Sequence, residues 1–431
     1  MGSDMLTCRL ENGLQVQLKE IHSAPLISSW VWYRVGSRNE RPGITGISHW
    51  VEHMQFKGTP NHPQGEMDRV ISREGGTWNA FTYLDWTTFF ETMPANKVEL
   101  ALNLEADRMV NSLFDPQEVT SERTVIISER EGNENEPLFR LGEALQRAAF
   151  TAHPYQHEVI GEMTDLRSMQ RDDLFNYYRQ HYNPANAVLA IAGDFESEAM
   201  LELVRKAFGP LTTGKRATPV VADETPPTAE QRVDVSGPGE TTFIQVAYRA
   251  PRANHPDFFL LSVLDSLLTG PSGLNMFGGG GISNKTSRLY QRLVENQLAV
   301  GVHGGLSATI DPYLYDVTIT AAPGRQVADI LKAFDEEIDS LRQDTVTTAI
   351  IERAIKQARA LFVYGAENIT NQGFWLGYAE MFASYQWFET YLQRLAEVTP
   401  ADVLRVAQEY LSSEKRVVGV YHPAAEGGSY A

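Results

Sequence analysis

The sequence predicts an α+β protein made of two homologous domains, each a mostly antiparallel sheet packed against helices. Three observations predict it. The chain has 431 residues, which at about 150 residues per domain gives two or three domains. Long amphipathic helical patterns are segregated from short strand patterns. The halves also repeat one another. Arg171-Asp172-Asp173-Leu174 leads through Tyr177 and Tyr178 to the apolar run Ala187–Ile191, and Pro400-Ala401-Asp402-Val403 leads through Ala407 to Arg416–Val420. Asp173 and Asp402 are 229 positions apart, and Met93-Pro94 matches Ala322-Pro323 at the same offset. A shared offset of this kind marks an internal duplication.

Leu14–Leu18 alternates apolar and polar residues after the turn Asn12-Gly13, the pattern of a strand. Trp30–Tyr33 and Thr87–Thr92 read as further strands. Helices are expected at Ser48–Lys57, Lys97–Ser112 and Gln117–Glu131, the last with Pro116 in its first turn and Asp115 as its cap. Phe208-Gly209-Pro210 closes the first unit. From Leu211 to Gln231 the chain is rich in Thr, Pro and charge without apolar periodicity, as a linker is. The expected boundaries are therefore a first domain at 1–213, a linker at 214–235 and a second domain at 236–431. Gly278–Gly281 is expected to form a second flexible stretch.

Composition narrows the function. Lys and Arg total 37 against 55 Asp and Glu, a net charge of −18. Phosphate backbones and anionic membrane surfaces are bound by clustered basic residues, so neither nucleic acid nor membrane is an expected partner. Cys8 is the only cysteine, which excludes an internal disulfide and a Cys-rich zinc site. No apolar run approaches the ~20 residues of a membrane helix, and the polar start Met1–Met5 lacks a signal-peptide core. A cytoplasmic location is expected, or a periplasmic one if a signal has been removed.

His49-Trp50-Val51-Glu52-His53 is the segment richest in chemistry. On a helix, residues at i and i+4 share a face, so His49 and His53 can both reach one metal ion. Glu52 falls near that face. Zinc lowers the pKa of a water it polarises, and a neighbouring carboxylate can accept the proton and pass it on. The H-x-x-E-H order is that of the inverzincins. His62, His153, His157, His181 and His303 show no comparable spacing and read as structural. Catalytic zinc takes three protein ligands. The helical stretch Ser121–Glu131 offers Glu122, Glu129 and Glu131, which spacing alone does not rank.

His49–His53 with the following Met54–Thr59, then Gly75-Gly76-Thr77-Trp78-Asn79-Ala80-Phe81-Thr82, resembles the pitrilysin and mitochondrial processing peptidase family. The likeness continues through Glu122–Glu129, His153-Pro154-Tyr155 to Gly161, Tyr182-Asn183-Pro184 to Gly193-Asp194, and the second half. It implies a processing-peptidase-like fold and a zinc metallopeptidase that cleaves unfolded peptides inside a dimeric chamber. It selects Glu129 as the third zinc ligand beside His49 and His53, with Glu52 as the catalytic base. It also implies that Glu122 supports the metal ligands from behind, and that Asn79, Ala80 and Phe81 hold a peptide by strand addition.

The second half departs from the family's pattern. Matching Gly270 to Gly58 puts Leu261, Leu264 and Asp265 where His49, Glu52 and His53 stand, so one zinc per chain is expected. The family carries an Arg and a Tyr, usually seven apart, in the segment that here reads Ser287–Val300, and that pair stabilises charge on the substrate carbonyl. Val294 and Val300 occupy those places. Arg292 is nearby, but no hydroxyl replaces the Tyr. The expectation is a heterodimer with a homologous sister subunit that supplies Arg and Tyr. The alternatives are a self-sufficient homodimer and a non-catalytic structural subunit.

Overall fold

The computed structural model describes residues 5–222, 224–225, 227–275 and 282–424; the Gly278–Gly281 stretch lies outside them. The chain runs β1 (Met5–Arg9), β2 (Gln15–Glu20), β3 (Leu26–Tyr33), α1 (Ile47–Met54), α2 (Glu66–Arg73), β4 (Thr77–Thr82) and β5 (Thr87–Pro94). It continues as α3 (Val98–Asn111), α4 (Pro116–Asn133), α5 (Pro137–Ala149), α6 (Met163–Ser168), α7 (Arg171–His181), β6 (Ala187–Gly193) and α8 (Ser197–Phe208). Next come β7 (Gln231–Pro238), β8 (Phe243–Ala250), α9 (Pro256–Leu268), β9 (Ala299–Leu306) and β10 (Tyr313–Ala321). The last elements are α10 (Val327–Gln343), α11 (Thr348–Tyr364), α12 (Ile369–Phe382), α13 (Tyr385–Ala396), α14 (Pro400–Tyr410) and β11 (Arg416–Ala424).

These elements form two compact units. The first comprises the described residues of Met1–Arg130, His157–Ala222 and Glu367–Tyr385. Its sheet has the order β1-β2-β6-β3-β5-β4, antiparallel except where β2 pairs with β6. β6 is buried throughout and β3 everywhere but at Leu26, as strands covered on both faces must be. On β3, Trp30 stacks on Phe90 with ring centroids 4.1 Å apart. Helix α12 lies against β3 and β6. It approaches closely because Gly373 and Gly377 face Trp30 and Trp32: a Cβ on Gly377 would sit 2.0 Å from Trp32 Nε1.

The second unit comprises the described residues of Glu131–Gln156, Asp223–Ala366 and Gln386–Ala431. Its sheet runs β7-β11-β8-β10-β9, with β7 and β11 parallel and the other pairs antiparallel. That is the order of the first sheet without its outermost strand β1, so the duplication read from the sequence is a duplication of topology. The offset is not constant, however. α7 and α14 start 229 positions apart, but β3 and β8 only 217, because the connections between the strands differ in length.

The compact units do not follow the expected halves. Helix α5, inside 1–213, packs on β7, β8 and β11 of the second unit, and α12, inside 236–431, packs on the sheet of the first. A sheet face is covered by whichever apolar helix fits it, and chain order does not dictate the choice. Strand β7 also begins at Gln231, within the segment 214–235 expected to be linker, because its polar, alternating sequence pairs with the apolar β11.

Candidate metal centre

Two carboxylates hold the entry to helix α1. Glu40 accepts the backbone N–H groups of Gly46 and Ser48, each at 2.8 Å, and so caps the helix start. Asp165 accepts those of Gly43 and Thr45, both at 3.0 Å. Gly46 takes a φ of 85° and its place against Ile160 leaves no room for a side chain. Helix α1 ends at Met54, three residues before the expected end, and the chain turns at Gly58 with φ 101°. Across from it, α4 begins after Asp115, whose Oδ1 accepts the N–H of Gln117 at 2.8 Å. The cap expected from the sequence is in place. Val119, Glu122, Ile126 and Arg130 form the buried stripe of α4, and Glu129 borders that stripe.

This arrangement brings His49, His53 and Glu129 together, with ligand atoms all within 4.8 Å of one another. The two Nε2 atoms are 3.2 Å apart, and each lies 3.9 Å from a Glu129 oxygen. Ligand nitrogens about 2.0 Å from a tetrahedral zinc stand roughly 3.3 Å apart, so the two imidazoles are spaced to share one ion. Two nitrogens and a carboxylate oxygen are a donor set that suits zinc. The residues present fit the metal that the sequence implied. Among the described residues no second such cluster occurs, and Glu131, His62, His153, His157, His181 and His303 stand outside this one.

Glu122 does not join the cluster but sits behind it. Its Oε1 is 2.8 Å from His53 Nδ1, and its other oxygen is paired with the Lys57 ammonium. Burial raises the Glu122 carboxyl, but the bonds from His53 and Lys57 outweigh it and leave it below its ordinary value. Burial also pulls His53 down, and the Glu122 bond with the charges of Glu52, Glu122 and Glu129 lifts it to a net rise. Among the described residues none bonds His49 Nδ1 in this way: burial, with His53 beside it, lowers His49 to about 3, so it is neutral at pH 7. A neutral imidazole is the form that ligates metal.

Glu52 is 8 % exposed, and its Oε2 accepts the Thr82 hydroxyl at 2.6 Å. Burial pushes its carboxyl up to about 7, against the pull of Thr82 and His53. A carboxylate with a pKa near the working pH suits a group that must both take and return a proton. Asn79, Ala80 and Phe81 lie on β4, the outermost strand of its sheet, which packs beside α1. Asn79 is exposed, and its Oδ1 accepts the N–H of Ala80 at 2.9 Å. Neighbouring Trp78 packs on Phe56, which follows α1, with ring centroids 4.8 Å apart.

Lys57 and Thr82 contact the site yet carried no assigned role in the sequence reading. Both stand inside the segments that resemble the family's motifs, but their partners come from α4 and α1, which spacing within one segment does not reveal. In the second unit, Val294 closes a single π-type turn, Tyr290–Val294, and Val300 on β9 is 59 % exposed. Arg292 is paired with Glu336 of α10. Asp265, at the counterpart of His53, is 1 % exposed and bonded to Thr269 and Ser272.

Residues 15–162 match the family profile described as insulinase (peptidase family M16), and residues 168–358 match that of the peptidase M16 inactive domain. An uncharacterized zinc protease of Mycobacterium leprae is 30 % identical over 429 residues, covering 96 % of this chain and 92 % of its own length. The zinc protease PqqE of Helicobacter pylori is 28 % identical over 413 residues, covering 93 % of this chain and 89 % of its own length. The crystal structure of a protease from Helicobacter pylori superposes with a TM-score of 0.91 at 25 % identity, covering 98 % of this chain and all of that one. The chain belongs to the M16 family, whose named relatives here are zinc proteases.

Proposed function

We propose that this protein is a zinc-dependent endopeptidase subunit that cleaves unfolded peptides. The observation that carries the reading is the convergence of His49, His53 and Glu129 beside the buried carboxylate of Glu52. His49, His53 and Glu129 would hold zinc, which when bound supplies Lewis acidity. Glu122 fixes the ring of His53 through its Nδ1. Glu52 takes the proton of the attacking water and returns it to the leaving amine. The substrate extends along β4 beside Asn79, Ala80 and Phe81, by addition of a strand to the sheet edge.

The exposed Val300 and the Val294 before it favour a two-subunit enzyme. No hydroxyl stands at position 300, and Arg292 is engaged with Glu336. In this reading a homologous sister chain supplies the Arg and Tyr, and substrates enter a chamber between the two subunits. The test is hydrolysis of a quenched fluorescent peptide mixture by the zinc-loaded chain beside a Glu52→Gln control. Cleavage lost in the control is the expected signature of the catalytic site. Cleavage by the chain alone at a full rate would overturn the need for a sister. A chain that binds no zinc would overturn the whole reading.

A further inference from the structure

Glu52 is attached to α1 by a side chain with three rotatable bonds, and its carboxylate must stand in one place to do proton transfer. Among the described residues, Thr82 is the side chain that donates a hydrogen bond to it, from Oγ1 to Oε2 at 2.6 Å. Thr82 is itself well fixed. It is the last residue of β4 and pairs with Thr87, the first of β5. The Thr87 hydroxyl donates to Val35 O at 2.9 Å and accepts from the Tyr182 hydroxyl at 3.3 Å, and Tyr182 is buried against Tyr33. A chain of bonds thus runs from the sheet core through Thr87 and the β4–β5 ladder to Thr82, and from there to one oxygen of Glu52.

From this geometry we propose that Thr82 is a positioning residue for catalysis, holding Glu52 Oε2 so that Oε1 stays available to the reacting water. The inference rests on the reading of Glu52 as the base. It adds that the strand carrying Asn79, Ala80 and Phe81 also carries the residue that aims the base. A shift of about 1 Å in a catalytic group can cost on the order of 100-fold in rate, so one hydroxyl at this position matters to turnover although its hydrogen bonds go to Glu52 and Thr87 and not to the metal ligands.

Thr82→Val keeps the shape and removes the donor, and Thr82→Ser keeps the donor. Thr82→Ala is a second deletion if the valine variant does not fold. The donor-less variants are expected to lose about 10- to 100-fold in kcat with KM and zinc content unchanged, and serine is expected to restore the rate. Crystal structures of the zinc-loaded variants give a readout independent of turnover. Glu52 is expected in one rotamer in the wild type and Thr82→Ser, and displaced or split in Thr82→Val. An unmoved Glu52 in Thr82→Val, or an unchanged kcat, overturns the proposal. Loss of cleavage in Glu52→Gln beside an unchanged Thr82→Val would leave the peptidase reading standing and remove Thr82 alone. A wild type that cleaves nothing even with its sister subunit would count against the peptidase reading, and the crystallographic comparison would still decide the positioning role.

Discussion

His53 and Glu122 are joined at 2.8 Å through Nδ1 and Oε1, on the side of the imidazole away from the Nε2 that faces His49. The carboxylate thereby sets the tautomer: with the proton on Nδ1, Nε2 is free to ligate. Lys57 on its other oxygen keeps Glu122 ionised and in place. Glu122→Ala is therefore expected to weaken zinc binding by about 10- to 100-fold without abolishing it. Competition with a metal-chelating indicator measures this, and an unchanged affinity would deny Glu122 the supporting role.

Removing a proposed ligand is a sharper change. His53→Ala and Glu129→Gln are each expected to fall from one zinc per chain to well below stoichiometric, as read by elemental analysis of the dialysed protein. Substituting Asp265, the counterpart of His53 in the second half, is expected to leave the zinc content at one. Retention of a full equivalent of zinc by Glu129→Gln would exclude it from the ligand set.

The first unit depends on close approach of α12 to β3. Alanine at Gly377 would bring its Cβ to 2.0 Å from the buried Trp32 indole. The better helix propensity of alanine is worth at most about 1 kcal/mol. Overpacking at so short a distance costs about 3 kcal/mol or more, so the clash wins. Gly377→Ala is expected to lower the thermal midpoint by several degrees in calorimetry. Gly142→Ala, on α5 with nothing within 4 Å of its Cβ, is the control expected to hold or raise it.

Asp265 gives the stability a dependence on pH. Burial raises its carboxyl to about 6 from an ordinary 3.8, against the bonds from Ser272 and Thr269. The folded state therefore binds more protons than the unfolded state between those values. Stability contributed by this group is complete at low pH and is lost as pH rises from about 4 to about 6, by up to roughly 3 kcal/mol. Asp265→Asn removes that dependence. The difference in urea midpoint between variant and wild type is expected to grow in favour of the variant from pH 4 to pH 6.5 and then level off. A constant difference across that range would show that Asp265 is ionised throughout.

Much of the molecule was legible along the chain because its signals are local. The strands at Leu14–Leu18, Trp30–Tyr33 and Thr87–Thr92, the Asp115 cap and the placing of both histidines on one helix each rest on residues within a few positions of one another. Helix ends were less legible: α1 stops at Met54 because the chain must turn at Gly58, a demand set by the β-bridge from Gly58 to Pro63. The third proposed zinc ligand was open among Glu122, Glu129 and Glu131 on spacing alone, and the family resemblance chose Glu129.

The sequence by itself determined the duplication and the i, i+4 histidine pair with its glutamate, and the family resemblance marked Val294 and Val300 as standing where an Arg and a Tyr are expected. The tertiary structure decided which helix covers which sheet, exchanging α5 and α12 between the units, because an apolar face is satisfied by shape and burial and carries no record of chain order. It also decided the outer contacts of the site. Lys57 meets Glu122, and Thr82 meets Glu52, across 65 and 30 residues of chain. Side chains so far apart in sequence converge only once helix and sheet are packed, and the hydrogen bonds that aim a reactive group form at that last step.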